Sequence, residues 1–307
     1  MAKDFESLLS LAQKKGPVKL SIAVAQDADV LKAVKEATDL GIVTPILVGD
    51  RKSIEKVAKS IDFDTSSLEI IQEEDKTKAA RLATELVSSG KAQVLMKGLV
   101  DTSIIMKQVL DSEIGLRTGN VISHVAIFGV ESYHKLFIVT DAAMILAPNL
   151  DVKKQIIENA VEVFHSLGVE EPKVAVIAAK EKVNEKMEAT VHARDLKEMN
   201  RAGEITGCLV DGPFALDNAV SKRSAEIKGI DSPVAGDADI LLVPNIESGN
   251  VLYKALTFLG DAKSAGLIVG TKAPIVLTSR ADDEQAKLNS IALGAMMCNR
   301  GGQDGEI

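Results

Sequence analysis

The sequence predicts a two-lobed α/β protein with mostly parallel sheets. Three observations lead there: apolar strand-like runs alternate with helix-periodic segments, aspartates and glycines punctuate the boundaries, and 307 residues exceed one ordinary domain. A composition of 46% hydrophobic and 26% charged residues lets a chain of this length bury a core without disulfides or metals.

Residues 18–25 read as a buried strand, Asp27 caps a helix running to Leu40, and Gly41 closes it before a second strand at 44–48. The alternation continues with a helix at 52–61, a strand at 68–71, a helix at 75–88 ended by Gly90, and a strand at 94–97. A helix at 102–111 precedes two apolar runs, 121–130 and 136–140, that read as a hairpin. The pattern resets at Pro148-Asn149, and a helix at 151–167, stopped by Gly168, opens the second lobe. A strand at 174–178, a helix at 183–201, a strand at 240–243, a helix at 251–259, a strand at 273–277 and a helix at 282–297 complete it. The lobes expected are 1–144 with 269–307, and 145–268; residues 300–305 read as a loose tail.

A formal charge of -8 repels nucleic-acid backbones and anionic membranes, and 3% aromatics with no Trp leaves little for base stacking. Small molecules are therefore the expected partners, with no nucleic acid and no membrane. A phosphate-bearing ligand would need a local basic cluster or helix N-termini. Cys208 and Cys298 stand far apart and outside any CxxC pattern, which fits a reducing cytoplasm. His124, His134, His165 and His192 have no metal-ligand spacing, so no metal site is expected. The start lacks the layout of a signal peptide, and no uncharged apolar stretch reaches about 18 residues. Walker A, GxGxxG, HExxH and GxSxG patterns are absent.

Three strand-to-helix mouths carry basic and hydroxyl groups, the edge at which open α/β sheets bind anions. In the segment 277–284, a strand delivers the Ser279 hydroxyl and the Arg280 fork to the start of a helix, where they suit a phosphate or a developing oxyanion. The alternative there is a helix cap, with Ser279 at the cap and Asp282 three residues on. In 247–254 a polar loop with Gly249 and Asn250 opens a helix whose first turn holds Tyr253 and Lys254. A cation so early opposes the helix dipole, which an anionic ligand would explain, as would a surface lysine. Met96-Lys97-Gly98 followed by Thr102-Ser103 has the same plan.

Met96-Lys97-Gly98, Val139-Thr140-Asp141-Ala142-Ala143, residues 211–217, 232–239 and 249–254, and Ser279-Arg280 together resemble the phosphate acetyl/butyryltransferase family over nearly the whole chain. Residues 181–184, Met187 and 189–191 look like its butyryltransferase branch. The resemblance implies an isocitrate/isopropylmalate dehydrogenase-like fold, one lobe built from both chain ends, and an active site in the inter-lobe cleft. It implies reversible transfer of a short acyl group between coenzyme A and inorganic phosphate, both as substrates, with no permanently bound cofactor and a homodimer or larger homo-oligomer. Acetyl or broad short-chain specificity, and an acyl-coenzyme A-binding protein without turnover, are the alternatives.

Ser279 and Arg280 are the catalytic pair that the resemblance implies. Where the acetyltransferases carry an aspartate seven residues after that serine, this chain has Ala286, so either Asp282 or Asp283 substitutes as base or the base lies elsewhere. Lys97, Lys107, Arg117, Gly249, Asn250, Tyr253 and Lys254 are the expected substrate contacts. Two arginines of the acetyltransferase pattern fall on Lys107 and Phe258. No cysteine or serine stands beside a histidine base, so direct attack of phosphate on the thioester in a ternary complex is expected.

Overall fold

The computed structural model describes residues 2–278 and 282–298. It divides into a terminal unit, Phe5–Asn120 with the chain from Ala265 on, and a central unit, Val121–Ser264 with the first four residues.

The terminal unit opens with α1 (Phe5–Lys15), β1 (Val18–Ala23), α2 (Ala28–Asp39), β2 (Val43–Gly49), α3 (Arg51–Ser60), β3 (Glu69–Gln72), α4 (Lys76–Ser88), β4 (Val94–Lys97) and α5 (Thr102–Val109). The central unit follows with β5 (Ser123–Gly129), β6 (Phe137–Thr140), α6 (Leu150–Ser166), β7 (Lys173–Ile177), α7 (Glu188–Arg201), β8 (Leu209–Phe214), α8 (Leu216–Val220), α9 (Lys222–Ile227), β9 (Ile240–Leu242) and α10 (Ile246–Phe258). The chain returns to the terminal unit through β10 (Lys263–Val269), β11 (Ile275–Val276) and α11 (Glu284–Met297).

In the terminal unit the strands run in the order β3-β2-β1-β4-β11-β10, parallel except for the β10–β11 pair. Aspartates set the starts of its helices: Asp27, Asp50 and Asp75 each accept a main-chain N–H three residues on, at 3.0, 3.1 and 2.8 Å. Each such cap stabilises a helix by about 1 kcal/mol. Helix α11 is buried on every side from Ala286 to Ala295 and packs against α1 and α2. That burial explains why its apolar residues are spread round the helix rather than along one stripe, with Lys287, Asn289 and Ser290 buried among them.

In the central unit the order is β5-β6-β9-β7-β8, with β5–β6 antiparallel and the rest parallel. The expected hairpin forms, Phe128 opposite Phe137. The sequence boundary at 144 and the observed one at 121 differ because the ladder from Ile138 to Ile240 ties that hairpin to β9. Strand β8 was not expected from its Asp211-Gly212-Pro213 centre. It lies at the end of the strand order, where a missing N–H costs no ladder bond. Helix α10 starts at Ile246 rather than 251, because Asn245 caps it through the Ser248 N–H at 3.0 Å.

One ionic knot fixes the approach to β9. Asp237 receives Lys173 Nζ at 2.5 Å, Lys135 Nζ at 3.1 Å and His134 Nε2 at 2.8 Å, while Asp239 receives Lys135 Nζ at 2.7 Å. Burial alone would raise the Asp237 pKa, but hydrogen bonds from Lys173 and Lys135, the Lys135 charge and the His134 contact hold it well below the usual carboxylate range. A depressed folded pKa contributes stability that is complete above the unfolded value of about 4 and is lost as pH falls through the folded value. Asp237→Asn should therefore cost about 1–3 kcal/mol at pH 7. Urea denaturation should show the gap to the parent chain narrowing below about pH 4; a gap of constant size would refute the role given to this carboxylate.

Candidate active site

In the terminal unit the parallel strands β1, β2, β4 and β11 end along one edge. Lys97, the last residue of β4, is 7% exposed, and its ammonium donates to the carbonyls of Gly98 and Val100, both at 3.3 Å. Gly98 is required beside it, since a Cβ there would meet the carbonyl oxygens of Val24 and Ala23 at 2.3 and 2.7 Å. Val24 adopts φ 59°, a strained left-handed conformation for a β-branched residue. Among the described residues Gln26 Oε1 is buried without a hydrogen-bond partner, 2.3 Å from where a Cβ on Gly49 would lie. Neither feature left a sequence signal beyond the glycines.

The β4–β11 ladder, Met96 beside Val276, puts Lys97 next to the segment leading into Ser279 and Arg280. Those two residues lie outside the described ones. Past them, Asp283 is the cap of α11, its Oδ1 accepting the Ala286 N–H at 2.7 Å, so the helix takes its cap there and not at Ser279, the alternative reading of that segment. The main-chain carbonyl of Asp282 accepts Lys287 Nζ. Lys107 is exposed in the last turn of α5, and Arg117 is exposed on a strand bridge to Thr271.

In the central unit the organising group is Asp141, 3% exposed and reached by a cis Thr140–Asp141 peptide. Its Oδ1 accepts the N–H groups of Ala143 and Met144 at 2.8 Å, and its Oδ2 that of His124 at 2.9 Å. Gly249 seats the first turn of α10 on this loop: a Cβ would lie 2.6 Å from the Asp141 carbonyl oxygen and 2.9 Å from Ala142 Cα. Asn250 Nδ2 donates to the Ala142 carbonyl at 3.3 Å. Gly249 and Asn250 thus belong to the helix and brace the 141–146 loop, not a polar loop ahead of the helix.

Tyr253 packs edge-on to Phe128 at 5.3 Å and tilted to His124 at 6.1 Å. Lys254 lies over the rings of Tyr253 and Phe258 at 5.0 and 5.6 Å. Both residues come after the first turn of α10, which removes the dipole argument made for Lys254 from the sequence. Beside α10, Val130, Tyr133, Phe137, Leu216 and Leu256 line an apolar groove of about 150 Å³.

Comparison with known proteins bears on this arrangement. The family model described as "Phosphate acetyl/butaryl transferase" matches residues 5–81 and 73–295. A phosphate butyryltransferase of Clostridium beijerinckii is 50% identical over 300 residues, covering 98% of this chain and 99% of that one. A phosphate acetyltransferase of Thermotoga maritima is 45% identical, covering 95% and 98%. Among solved structures, a branched-chain phosphotransacylase from Enterococcus faecalis superposes with a TM-score of 0.79 at 35% identity, covering 91% and 98%. A 4-hydroxythreonine-4-phosphate dehydrogenase from Burkholderia phymatum, TM-score 0.55 at 14% identity and covering 92% and 99%, shares the fold alone. The fold is thus the two-lobed, dehydrogenase-like α/β type that the sequence led to.

Because α10 rests on the 141–142 peptide without room for a methyl group, Gly249→Ala should lower the unfolding free energy by about 1–3 kcal/mol. Chemical denaturation checks this, and an unchanged midpoint would show that the helix is not seated there.

Proposed function

We propose that the chain, which belongs to the phosphate acetyl/butyryltransferase family, transfers a butyryl group reversibly between coenzyme A and inorganic phosphate. It is an acyltransferase. The observation that carries the butyryl reading is the 50% identity, over 98% of the chain, to the Clostridium beijerinckii phosphate butyryltransferase. The acetyltransferase at 45% identity keeps acetyl or broad short-chain transfer as the second reading.

In the proposed mechanism a phosphate oxygen attacks the thioester carbonyl directly, the tetrahedral intermediate collapses, and the coenzyme A thiolate leaves. Arg280 and Ser279 bind phosphate and stabilise the oxyanion, a role worth about 3–4 kcal/mol per well-placed donor in other enzymes. In reverse, Asp282 takes the thiol proton, since Asp283 serves as a helix cap. Lys97, Lys107 and Arg117 are the proposed cations for the substrate phosphates in the terminal unit, and Lys254 in the central one. The cysteines support transfer without a covalent cysteine intermediate. Burial pushes the Cys208 thiol up to about 12, and the Cys298 thiol up to about 11 despite the Lys15 charge, so neither is a thiolate at neutral pH.

Butyryl-coenzyme A incubated with phosphate should release free thiol in a phosphate-dependent way. Arg280→Ala should cut that rate at least about tenfold, and Arg280→Lys should recover little, because a point charge cannot replace the guanidinium fork. Tight binding of butyryl-coenzyme A without release would favour the idle binding protein. Near-normal turnover of the alanine variant at subsaturating phosphate would remove Arg280 from the site.

We further propose a homodimer formed through α10. Gly249 is its only buried residue, while Val251 is 69%, Phe258 62% and the following Leu259 88% exposed. A helix about 20 Å long and about 10 Å across with so little charge, beside an apolar groove, would form the centre of such an interface, with flanking surface supplying the rest of the about 800 Å² per partner that a stable dimer needs. Twofold pairing would set this face against its own copy. Light scattering on a sizing column should give a dimer or larger for the parent chain and a monomer for Phe258→Glu combined with Leu259→Glu; a monomeric parent chain would overturn the proposal.

A further inference from the structure

We infer that the loop after β6, through Met144 and Leu146, is the surface that holds the acyl chain and sets its preferred length. The inference rests on the acyl-transfer reading above and adds residues to it.

The loop lies at the carboxyl ends of β6 and β9, which run parallel with Thr140 beside Leu242. Connections leave these two strands over opposite faces of the sheet. Leu252 and Leu256 of α10 join the cluster of Ala126, Phe128, Val139, Leu241 and Val243, whereas Asn159 of α6 donates to the Ser123 hydroxyl at 2.9 Å, and Ser123 points to the opposite face of β5 from Ala126 and Phe128. That divergence is where open α/β sheets bind ligands.

The chemistry of the loop is unusual for such a place. Residues 142–148 read Ala-Ala-Met-Ile-Leu-Ala-Pro, with no charge and no side-chain hydrogen-bonding group. Leu146 is 71% exposed, Ala143 and Ala147 are exposed, and Met144 and Ile145 are half-buried. An exposed connection is ordinarily built from polar and turn-forming residues.

Nor is the loop free to fold its apolar side chains inward. The Asp141 carboxylate holds the N–H groups of Ala143 and Met144, the Ile246 N–H donates to the Leu146 carbonyl at 3.0 Å, and Asn250 holds the Ala142 carbonyl. The main chain is pinned at both ends while Ala143, Leu146 and Ala147 face outward and Met144 and Ile145 stay partly exposed. Of the parts of the substrates, only the acyl chain beyond its carbonyl has neither charge nor hydrogen-bonding group; the uncharged pantetheine arm carries amides and a hydroxyl, for which residues 142–148 offer no side-chain partner.

Phosphate-dependent thiol release from acetyl-, butyryl- and hexanoyl-coenzyme A should be compared for the parent chain, Leu146→Ala and Met144→Ala. One methylene in an apolar site discriminates by about 10–200-fold, so the butyryl-to-acetyl ratio of kcat/KM should fall at least about tenfold in one or both variants. Folded variants with the parent ratio would overturn the inference. A variant that keeps the ratio but changes its mass on a sizing column would also overturn it and assign the loop to a second copy. Calorimetry of butyryl-coenzyme A against coenzyme A separates the two readings. If the parent chain shows no turnover, a preference for the butyryl form that the variants lose would sustain the acyl site while the enzymatic reading falls, and no such preference would end both.

Discussion

A buried carboxylate with three main-chain donors is the constraint on which the edge of the central unit depends. Asp141 draws together the N–H groups of His124, Ala143 and Met144, so the end of β6 and the loop beyond it have one conformation. Charge-assisted bonds of this kind are roughly twice as strong as neutral ones. The first turn of α10 then settles on that loop, at a distance only glycine permits. The exposed apolar residues of the loop and the aromatic packing of Tyr253 both follow from that seat.

Much of the fold was legible because local signals agreed with the tertiary result. Asp27 and Asp75 stand before helices and cap them, and Gly41 and Gly90, at φ 70° and 76°, end them. The losses have physical causes. Glu247-Ser248-Gly249-Asn250 reads as a loop because propensity is local, whereas its helix is held by the Asn245 cap and by tertiary seating of Gly249. Asp141 was visible within a motif, but its three bonds come from residues that only the folded sheet brings together. Lys97 was picked out correctly as a residue at a strand end; its near-complete burial was not readable from its sequence neighbours.

An acidic chain also has to place its interior cations. Lys153 is 3% exposed, and its Nζ lies 2.9 Å from His192 Nδ1, joining α6 to α7 through a neutral ring rather than a carboxylate. Burial holds both pKa values below their ordinary range, with the Lys153 charge adding to the effect on His192 and Glu188 opposing it on both. The pair stays compatible because the imidazole is an acceptor. Where carboxylates are used instead, as at Asp237, they gather two lysines and a histidine at one point.

The return of the chain to the terminal unit has a consequence for synthesis on the ribosome. Strand β4 finds its parallel neighbour β11 only through Leu95 and Met96 beside Ile275 and Val276, some 180 residues later. Helix α11, buried between α1, α2 and the sheet, emerges later still. The central unit can therefore be folded while the terminal unit still shows an open strand edge and an uncovered apolar face, the two features that nascent-chain chaperones recognise and that promote aggregation.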